Sequence, residues 1–425
     1  VAYLKQFLTK KTSVLSRSTK VTRLTVINQF FLPDYAPTGQ LLEELANQLK
    51  GNFSGVEVFT TQPSYAFKQD DLPRWEYQKD IHIRRSKSAS SGYGRIRSKT
   101  VSGVIFFLRT ILHLLRYSSR RQLVLLTTAP PFLPLAGYLV SLLCNITYVC
   151  LLYDLYPEIA IELKVVKKDH WLTKLWNHLN HLTWKKSAAV IVLSSTMRAK
   201  VLKECPEIAS RVFVIPSWAD PTEIKPMPKQ DNWFAQKHDL VDRFAVMYSG
   251  NMGRCHDMET LLQAMAILRD TSIQFVFVGG GDKRSYMQTI SQELGLTNCL
   301  FLPYQPKENL TFSLTACDVS IVSIDERMEG LVVPSKLYSA LAAGSAIAAI
   351  CPAHSYLNDI FAEAKCGSTF VNGNSEGLAA YLYQLSQNPQ LAVELGQSGR
   401  AYCIEHYTIE KVAQSYLELF KSLLR

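Results

Sequence analysis

A chain of 425 residues exceeds one ordinary core and suits two domains of about 200 residues each. With 47% hydrophobic and only 19% charged residues it can bury large cores, which excludes wholesale disorder. The 46 Lys+Arg against 36 Asp+Glu leave a formal charge of +10, which favours an anionic partner: a phosphorylated small molecule, a nucleic acid or an acidic lipid surface.

Residues 1–22 read as a basic extension or surface-binding arm; VAYLKQFLTKKTSVLSRSTK lacks the apolar core and small-residue cleavage site of a secretion signal. Strands are predicted at LTVINQF (24–30), VEVFTT (56–61), HIRR (82–85), LVLLTT (123–128), ITYVCLLY (146–153), AVIVLSS (189–195) and VFVIPS (212–217). TGQLLEELANQLK and LTKLWNHLNHLTWKKS between them carry helical apolar spacing. Two apolar runs stand out. VIFFLRTILHLL (104–115) contains Arg109 and His113, and 95–121 combines arginines and Lys99 with leucines and aromatics, so it fits either association with an anionic membrane or a packed helix with a solvated basic rim. LPLAGYLVSLLCNITYVCLLY (133–153) has the length of a membrane span, but Asn145 divides it into a helix and a buried strand.

Strands with few charges separated by helices predict a parallel sheet covered on both faces, over a first domain at 23–220. PSWADPTEIKPMPKQDNWF loses periodicity and supplies a linker near 217–230. The pattern restarts over 221–404 with FAVMYSG (244–250), IQFVFVGG (273–280), CLFLPY (299–304), DVSIVSI (318–324) and AIAAIC (346–351) as strands. METLLQAMAILRD, RSYMQTISQELG and KLYSALAAG are the intervening helices. Residues 405–425 form a final helix expected to return to the first domain, with Thr408 as its cap. The fold class is therefore α/β, two Rossmann-like doubly wound domains facing a cleft, with ligands beyond the carboxyl ends of the strands.

Several loops carry chemistry. In FFLPDYAPTGQLLEELA, Thr38 and Gly39 open a helix whose start can meet an anion or an acceptor hydroxyl, or serve only as cap and turn. Asp154, followed by LYPE, can orient a hydroxyl, act as a base or cap a turn; Glu158 is less specific. SGNMGR (249–254) and VGGGDKR (278–284) follow strands, and their glycines can form amide nests beside Arg254, Lys283 and Arg284. They do not match GxGxxG with a distant ribose-binding acid, which argues against a nicotinamide cofactor. In EGLVVPSKLYSALAAGS (329–345), Ser335 is a capping candidate and Lys336 can hold a diphosphate or snorkel at a helix start. His178, His181 and His256 make no HExxH unit, so no metal is expected. The nine cysteines show no CxxC pair and read as free thiols in a reducing compartment.

The motifs INQFFLPDYAPTGQ, YDLYPE, YSGNMGR, FVGGGDKR, FLPYQPKENL and VVPSKLYSALAAG, in this order, resemble retaining glycosyltransferase family 4, especially the bacterial enzymes of capsule, O-antigen and colanic-acid-like exopolysaccharide synthesis. The resemblance runs from Leu24 through the terminal helix. It implies the glycosyltransferase B fold, with an acceptor-side first domain and a donor-side second domain. It further implies Asp154, Gly39 and Lys336 as catalytic candidates. Donor ligands would be Asn251, Gly253, Arg254, Gly280, Lys283, Arg284, Gly330, Leu331, Val332, Val333, Pro334, Ser335 and Lys336. Acceptor contacts would be Thr38, Gly39, Asp154 and Glu158.

The chain departs from the family's E-x7-E element. Ser339 stands where the later glutamate is usual, Leu331 where the earlier one is, and Glu329 is out of register. Asn251 and His256 stand near the usual arginine and lysine of the first glycine loop. The implied substrates are a UDP- or GDP-sugar and a glycan or polyprenyl-diphosphate-linked saccharide, handled in the cytoplasm or on the inner face of its membrane, without a metal. The alternatives are a nucleotide-sugar or anionic-glycan binding protein without transfer activity, and an enzyme acting on a soluble sugar or sugar phosphate. Nucleic-acid binding is disfavoured because no organised aromatic-basic or helix-turn-helix motif accompanies the charge.

Overall fold

The computed structural model describes residues 22–34, 37–63, 72–87, 96–119 and 121–424. The basic arm before Thr22 lies outside these residues, as do Tyr35, Ala36, Arg95 and Arg120. The first sheet has eight strands: β1 Arg23–Ile27, β2 Val56–Thr61, β3 Trp75–Gln78, β4 Ile81–Ser86, β5 Gln122–Thr127, β6 Thr147–Leu152, β7 Ala189–Val192 and β8 Val212–Val214. Their order is β3-β4-β2-β1-β5-β6-β7-β8. All neighbours run parallel except β3, an antiparallel edge strand on β4. The second sheet holds β9 Ala245–Ser249, β10 Gln274–Val278, β11 Cys299–Leu302, β12 Val319–Ser323, β13 Ala346–Ile350 and β14 Gly367–Phe370, in the order β11-β10-β9-β12-β13-β14.

Helices cover both sheets. In the first part they are α1 Pro37–Leu49, α2 Ile96–Tyr117, α3 Pro134–Cys144, α4 Glu158–Glu162, α5 Trp171–Lys186 and α6 Ser195–Glu204. Then follow α7 Trp233–Lys237, α8 Glu259–Ile267, α9 Arg284–Glu293, α10 Leu310–Leu314, α11 Lys336–Ala343, α12 Leu357–Ala364, α13 Ser375–Gln387, α14 Pro389–His406 and α15 Ile409–Leu423. Central strands such as β5 and β13 are buried along their whole length, as a parallel sheet covered on both faces requires. Residues 133–153 divide as their sequence suggests: α3 stops at Asn145, which is left-handed (φ 47°), and β6 follows. Thr408 caps α15 by accepting a hydrogen bond from the Lys411 amide. All nine cysteines are free thiols, six of them buried.

Three departures from the sequence reading have simple causes. β3 (WEYQ) is exposed and has no apolar run to betray it. β14 (GSTF) is only half-buried and contains a glycine that lowers strand propensity. Asp154 does not close a strand, because β6 ends at Leu152 and the carboxylate sits in the following loop.

The chain reverses its winding direction between β1 and β5 in the first sheet and between β9 and β12 in the second. Loops at these switch points diverge from neighbouring crossovers and leave a crevice at the strands' carboxyl ends. In the second sheet this joins the segment after β9 (250–258) to the segment from β12 to α11 (324–335). The two domains meet around it. The Leu155 amide donates to the Leu331 carbonyl at 2.9 Å, and one apolar cluster contains both Leu155 and Leu331. On the far side, Ile409, Val412, Tyr416 and Phe420 of α15 share a core with Leu42, Leu45 and Leu49 of α1. The irregular segment that joins the domains is pinned by Arg400, whose guanidinium donates to the Pro221 and Ile224 carbonyls at 2.8 Å.

Candidate functional site

The site is built where β9, β12 and α11 converge. Gly250, at φ +122°, turns the chain out of β9, and a Cβ placed on it would lie 3.1 Å from Lys336 Cε and 3.7 Å from Lys336 Nζ. The glycine therefore leaves the channel occupied by the lysine side chain. Lys336 Nζ lies 3.3 Å from His256 Nε2 and 4.9 Å from the centroid of the Tyr248 ring. His256 Nδ1 is 2.7 Å from the Ser323 carbonyl. A carbonyl can only accept, so Nδ1 carries the proton and Nε2 is left as the acceptor for the ammonium. Burial, then the neighbouring Lys336 charge, push His256 down to about 3, which keeps the imidazole neutral. Burial pushes the Lys336 ammonium down to about 8.

Lys336 faces no carboxylate among the described residues, although it is half-buried and one neutral ring positions it. Such a cation is prepared for an anionic oxygen that brings its own charge.

Ser335 does not cap α11. Its backbone is itself helical (φ −58°, ψ −18°), its side chain makes no capping bond, and it is exposed. Pro334 sets the approach, and its carbonyl accepts from the Leu337 amide at 3.1 Å. Val332 and Val333 are half-buried, and Leu331 is buried against the first domain.

The glycine loops interlock. The Gly250 amide donates to the Val278 carbonyl at 2.7 Å, and the Met252 amide donates to the Gly280 carbonyl at 2.6 Å. Asn251 is exposed, with its amide wedged beside Gly253 and Gly281. The three basic candidates behave differently from one another. Lys283 is already engaged: its ammonium donates to the His256 carbonyl at 2.7 Å and pairs with Glu259 at 3.0 Å. Arg254 reaches across to the first domain and donates to the Leu163 carbonyl at 2.9 Å. Arg284 opens α9, with a buried Nε that has no hydrogen-bond partner among the described residues.

From the first domain, Asp154 is brought to this centre by the contact of its neighbour Leu155 with Leu331. Its amide donates to Thr128 Oγ1 at 3.3 Å, and burial pushes its carboxyl up to about 6. Its charge is felt at Cys255, which burial and then Asp154 push up to about 11. Glu158 starts α4 and faces Lys200 and Glu204, with burial as the main cause raising its carboxyl. Gly39 is buried at the start of α1, where a Cβ would lie 3.1 Å from the Phe30 carbonyl carbon. The absence of a side chain lets the loop after β1 press on that helix. Thr38 beside it is half-buried, and neither residue touches Lys336 or Asp154 among the described contacts.

Glu329 has a structural place that its sequence position did not indicate. It is 1% exposed, accepts from Thr196 Oγ1 of α6 at 2.6 Å, and keeps its second oxygen without a partner among the described residues. Gly330 beside it fits against Thr196 and Lys200, where a Cβ would lie 2.9 Å from each. Replacing Thr196 by valine preserves shape but removes that donor. Thr196→Val is expected to lower unfolding stability by about 1–3 kcal/mol, because a buried carboxylate loses its hydrogen bond; the urea midpoint reads this directly.

His181, Cys205 and Glu207 also cluster, with His181 Nε2 2.8 Å from Glu207 Oε1. Glu207 is paired with Lys185, and burial pushes the Cys205 thiol up to about 11, so the grouping is an ion-pair network.

His256 is the residue whose role the sequence concealed. It stands near a position where the resemblance expects a cation, and only the fold makes it the neutral prop of Lys336.

Residues 229–402, which hold the second sheet, its glycine loops and Lys336, match the family model Glycosyl transferases group 1. The chain is 24% identical over 333 residues to a Pseudomonas aeruginosa protein named as glycosyltransferase WbjE, covering 78% of this chain and 81% of that one. It is 29% identical over 157 residues to an Escherichia coli K12 protein named as the colanic acid biosynthesis glycosyl transferase WcaI, covering 36% and 38%. Among solved structures, sucrose-phosphate synthase from Thermosynechococcus elongatus superposes with a TM-score of 0.76 at 18% identity, over 95% of this chain and 99% of that one. Anabaena HepE in complex with UDP-glucose gives 0.71 at 13% identity, over 94% and 100%. WaaG, a glycosyltransferase involved in lipopolysaccharide biosynthesis, gives 0.67 at 15%, over 93% and 98%. The chain has the glycosyltransferase B architecture these structures share.

Proposed function

We propose that this chain is a retaining family 4 glycosyltransferase. It moves a sugar from a UDP- or GDP-sugar to a hydroxyl of a glycan or polyprenyl-diphosphate-linked saccharide, in cell-surface polysaccharide synthesis at the inner face of the cytoplasmic membrane. The observation that carries this reading is the half-buried Lys336, held by a neutral His256 and lacking a counter-ion among the described residues.

In the reaction the bond from the anomeric carbon to the donor phosphate oxygen breaks, and a bond from the acceptor oxygen to the same carbon forms on the same face. The acceptor proton passes to the departing diphosphate. Negative charge grows on that diphosphate in the transition state, so a fixed cation stabilises the transition state more than the bound donor. Lys336 supplies the cation, with the loop 330–336 around it, and transfer is expected to survive chelation of divalent ions. Asp154 lies on the acceptor side, where its ionised form holds the attacking hydroxyl. Closure of the two domains keeps water from competing as acceptor.

Asp154→Asn is expected to cut kcat by about 10²-fold. Activity of the wild type should fall as pH falls through about 6, where Asp154 takes up its proton, and the variant should lack that limb. A pH–rate profile of both proteins checks the pair of statements.

The decisive experiment offers UDP- and GDP-sugars with lipid-linked, oligosaccharide and sugar-phosphate acceptors, following nucleotide release and the anomeric configuration of the product by NMR. A retained configuration on a lipid-linked or glycan acceptor is expected. An inverted product removes the retaining mechanism, and a product formed only on sugar phosphates transfers the chain to soluble metabolism. Ser339 at the usual later glutamate favours the second reading, a nucleotide-sugar binding protein; tight binding with no product from any pair would establish it.

A further inference from the structure

Between Asp80 and Asp154 the sequence carries ten lysines and arginines and no aspartate or glutamate. The fold gathers part of this charge around one cavity. A hollow of about 460 Å³ lies between β4 and α2, with Arg74, Arg84, Arg85, Lys87, Arg109 and Arg116 in its wall and no carboxylate among the described residues that line it. Like charges brought together repel unless an anion is present, and low-dielectric walls strengthen the field they share.

The internal bonding shows which charges are already committed. Arg84 is clamped between the rings of Trp75 and Tyr117, 4.3 and 4.1 Å from their centroids, and donates to His113 Nδ1 at 3.0 Å. His113 in turn faces Glu57 at 3.4 Å through its other nitrogen. Arg85 pairs with Glu76 and donates to the Leu32 carbonyl. Arg109 donates to Ser86 Oγ at 3.0 Å and to the Lys87 carbonyl. Arg74, Lys87, Arg109 and Arg116 form no ion pair with a carboxylate among the described residues, so the cavity combines an aromatic-framed wall around Arg84 with cations that no described carboxylate neutralises.

Leu112 also lines the cavity, and there the polar site becomes an apolar track. Val101, Val104, Leu108, Leu112 and Leu115 recur at helical spacing along α2, and all are exposed, Leu112 by 66%. Leu139, Leu142 and Leu143 of the adjoining α3 extend the surface, with Leu143 76% exposed. α2 is long and apolar enough to cross a membrane, yet Phe106, Thr110, His113 and Leu114 bury its other face against the sheet. It is thus a sheet-covering helix with an unpartnered outer stripe. Arg85, the residue after Arg84 on β4, points to the sheet's other face, where it lines a second cavity of about 370 Å³ between Leu32-Pro33-Asp34 of the first domain and Lys307 of the second, so the two hollows share the β4 edge.

We propose that the cavity between β4 and α2 is the seat of the diphosphate of a lipid-linked saccharide acceptor, whose prenyl chain lies along the exposed stripe of α2 while its sugar reaches into the crevice. This rests on the lipid-linked acceptor reading above. Lys87 and Arg116 at the mouth take the phosphate oxygens, Arg109 closes the inner side, and Leu108 and Leu112 receive the first prenyl units. The apolar stripe beginning at the cavity's edge distinguishes this ligand from a free phosphate.

The test uses the full chain with farnesyl diphosphate, inorganic pyrophosphate, UDP and phosphatidylglycerol vesicles as separate probes. Farnesyl diphosphate should bind more tightly than pyrophosphate. Lys87→Gln/Arg116→Gln should weaken it about tenfold or more, equivalent to one order in Kd. Leu108→Ser/Leu112→Ser should weaken farnesyl diphosphate but not pyrophosphate. Both variants alter exposed side chains, and each should keep the wild-type melting temperature and UDP affinity. Farnesyl diphosphate binding unchanged in the charge variant overturns the proposal, as does loss of vesicle binding alone, which would make the face a membrane contact. Loss of UDP binding by the wild type would sink the nucleotide-sugar reading while leaving the cavity's ligand intact, so the two failures are separable.

Discussion

Lys336→Ala is expected to lower the rate of sugar transfer by about 10²–10³-fold, the usual effect of removing one preorganised group from a developing anion, with the fold retained. The side chain lies along Gly250, and His256 holds its tip. Its loss removes charge without removing any apolar core. Because the charge matters most as the diphosphate departs, kcat should fall more than donor affinity; an effect confined to KM would assign Lys336 to uniform binding instead.

The pH dependence follows from the lowered lysine. Only the ammonium serves, so kcat/KM of the free enzyme should fall as pH rises through about 8. Stability runs the other way. Between about 8 and the ordinary value of 10.5 the unfolded chain binds more protons than the folded one, so wild-type stability rises with pH across that window. The alanine variant should lack this slope and be no less stable at neutral pH. A variant with wild-type turnover at every pH would remove Lys336 from the site.

Gly279→Ala is expected to destabilise the protein by about 3 kcal/mol or more, through backbone strain together with overpacking. Gly279 sits at φ +132°, and a Cβ there would fall 2.1 Å from the Gly250 carbonyl oxygen and 2.9 Å from its carbon. The obstacle is backbone, and it cannot rotate away. It is also the loop that opens the Lys336 channel, so UDP binding should weaken with stability. Gly295 provides the contrast: its φ is +67° but nothing lies within 4 Å of an added Cβ. Gly295→Ala should cost only the left-handed backbone penalty, about 1–2 kcal/mol. Equal midpoints for the two variants in urea denaturation would show that the loop contact gives way.

Much of the architecture was legible because its signals are local. Strands such as AIAAI and QLVLLT are short, uncharged and buried on both faces, so composition alone marks them. KLYSALAA stops at Gly344 because the chain turns left-handed there (φ 69°), a conformation glycine adopts without strain. Ser335 is the counterexample: its residue type suits a cap, but its backbone is already helical at the residue before α11 and its side chain makes no capping bond. WEYQ escaped for the opposite reason, because an exposed edge strand is created by its partner β4 and not by its own side chains.

The candidate site divides in the same way. The sequence by itself determined the residue types at the strand ends, the glycines that permit close approach, and the lysine beside PS in a small-residue helix, because each is fixed by local backbone geometry. Only the tertiary structure decided which of the cations are committed. Lys283 is taken by Glu259, Arg254 spans to Leu163, and Lys336 is left facing a neutral imidazole 80 residues away in the chain. It also decided that Glu329 holds Thr196 across the domain boundary, and that Arg74, Arg84, Arg85, Lys87, Arg109 and Arg116, far apart in the chain, line one cavity. Charge pairing depends on distance in space, which strand order and domain contact set, and a linear pattern does not carry it.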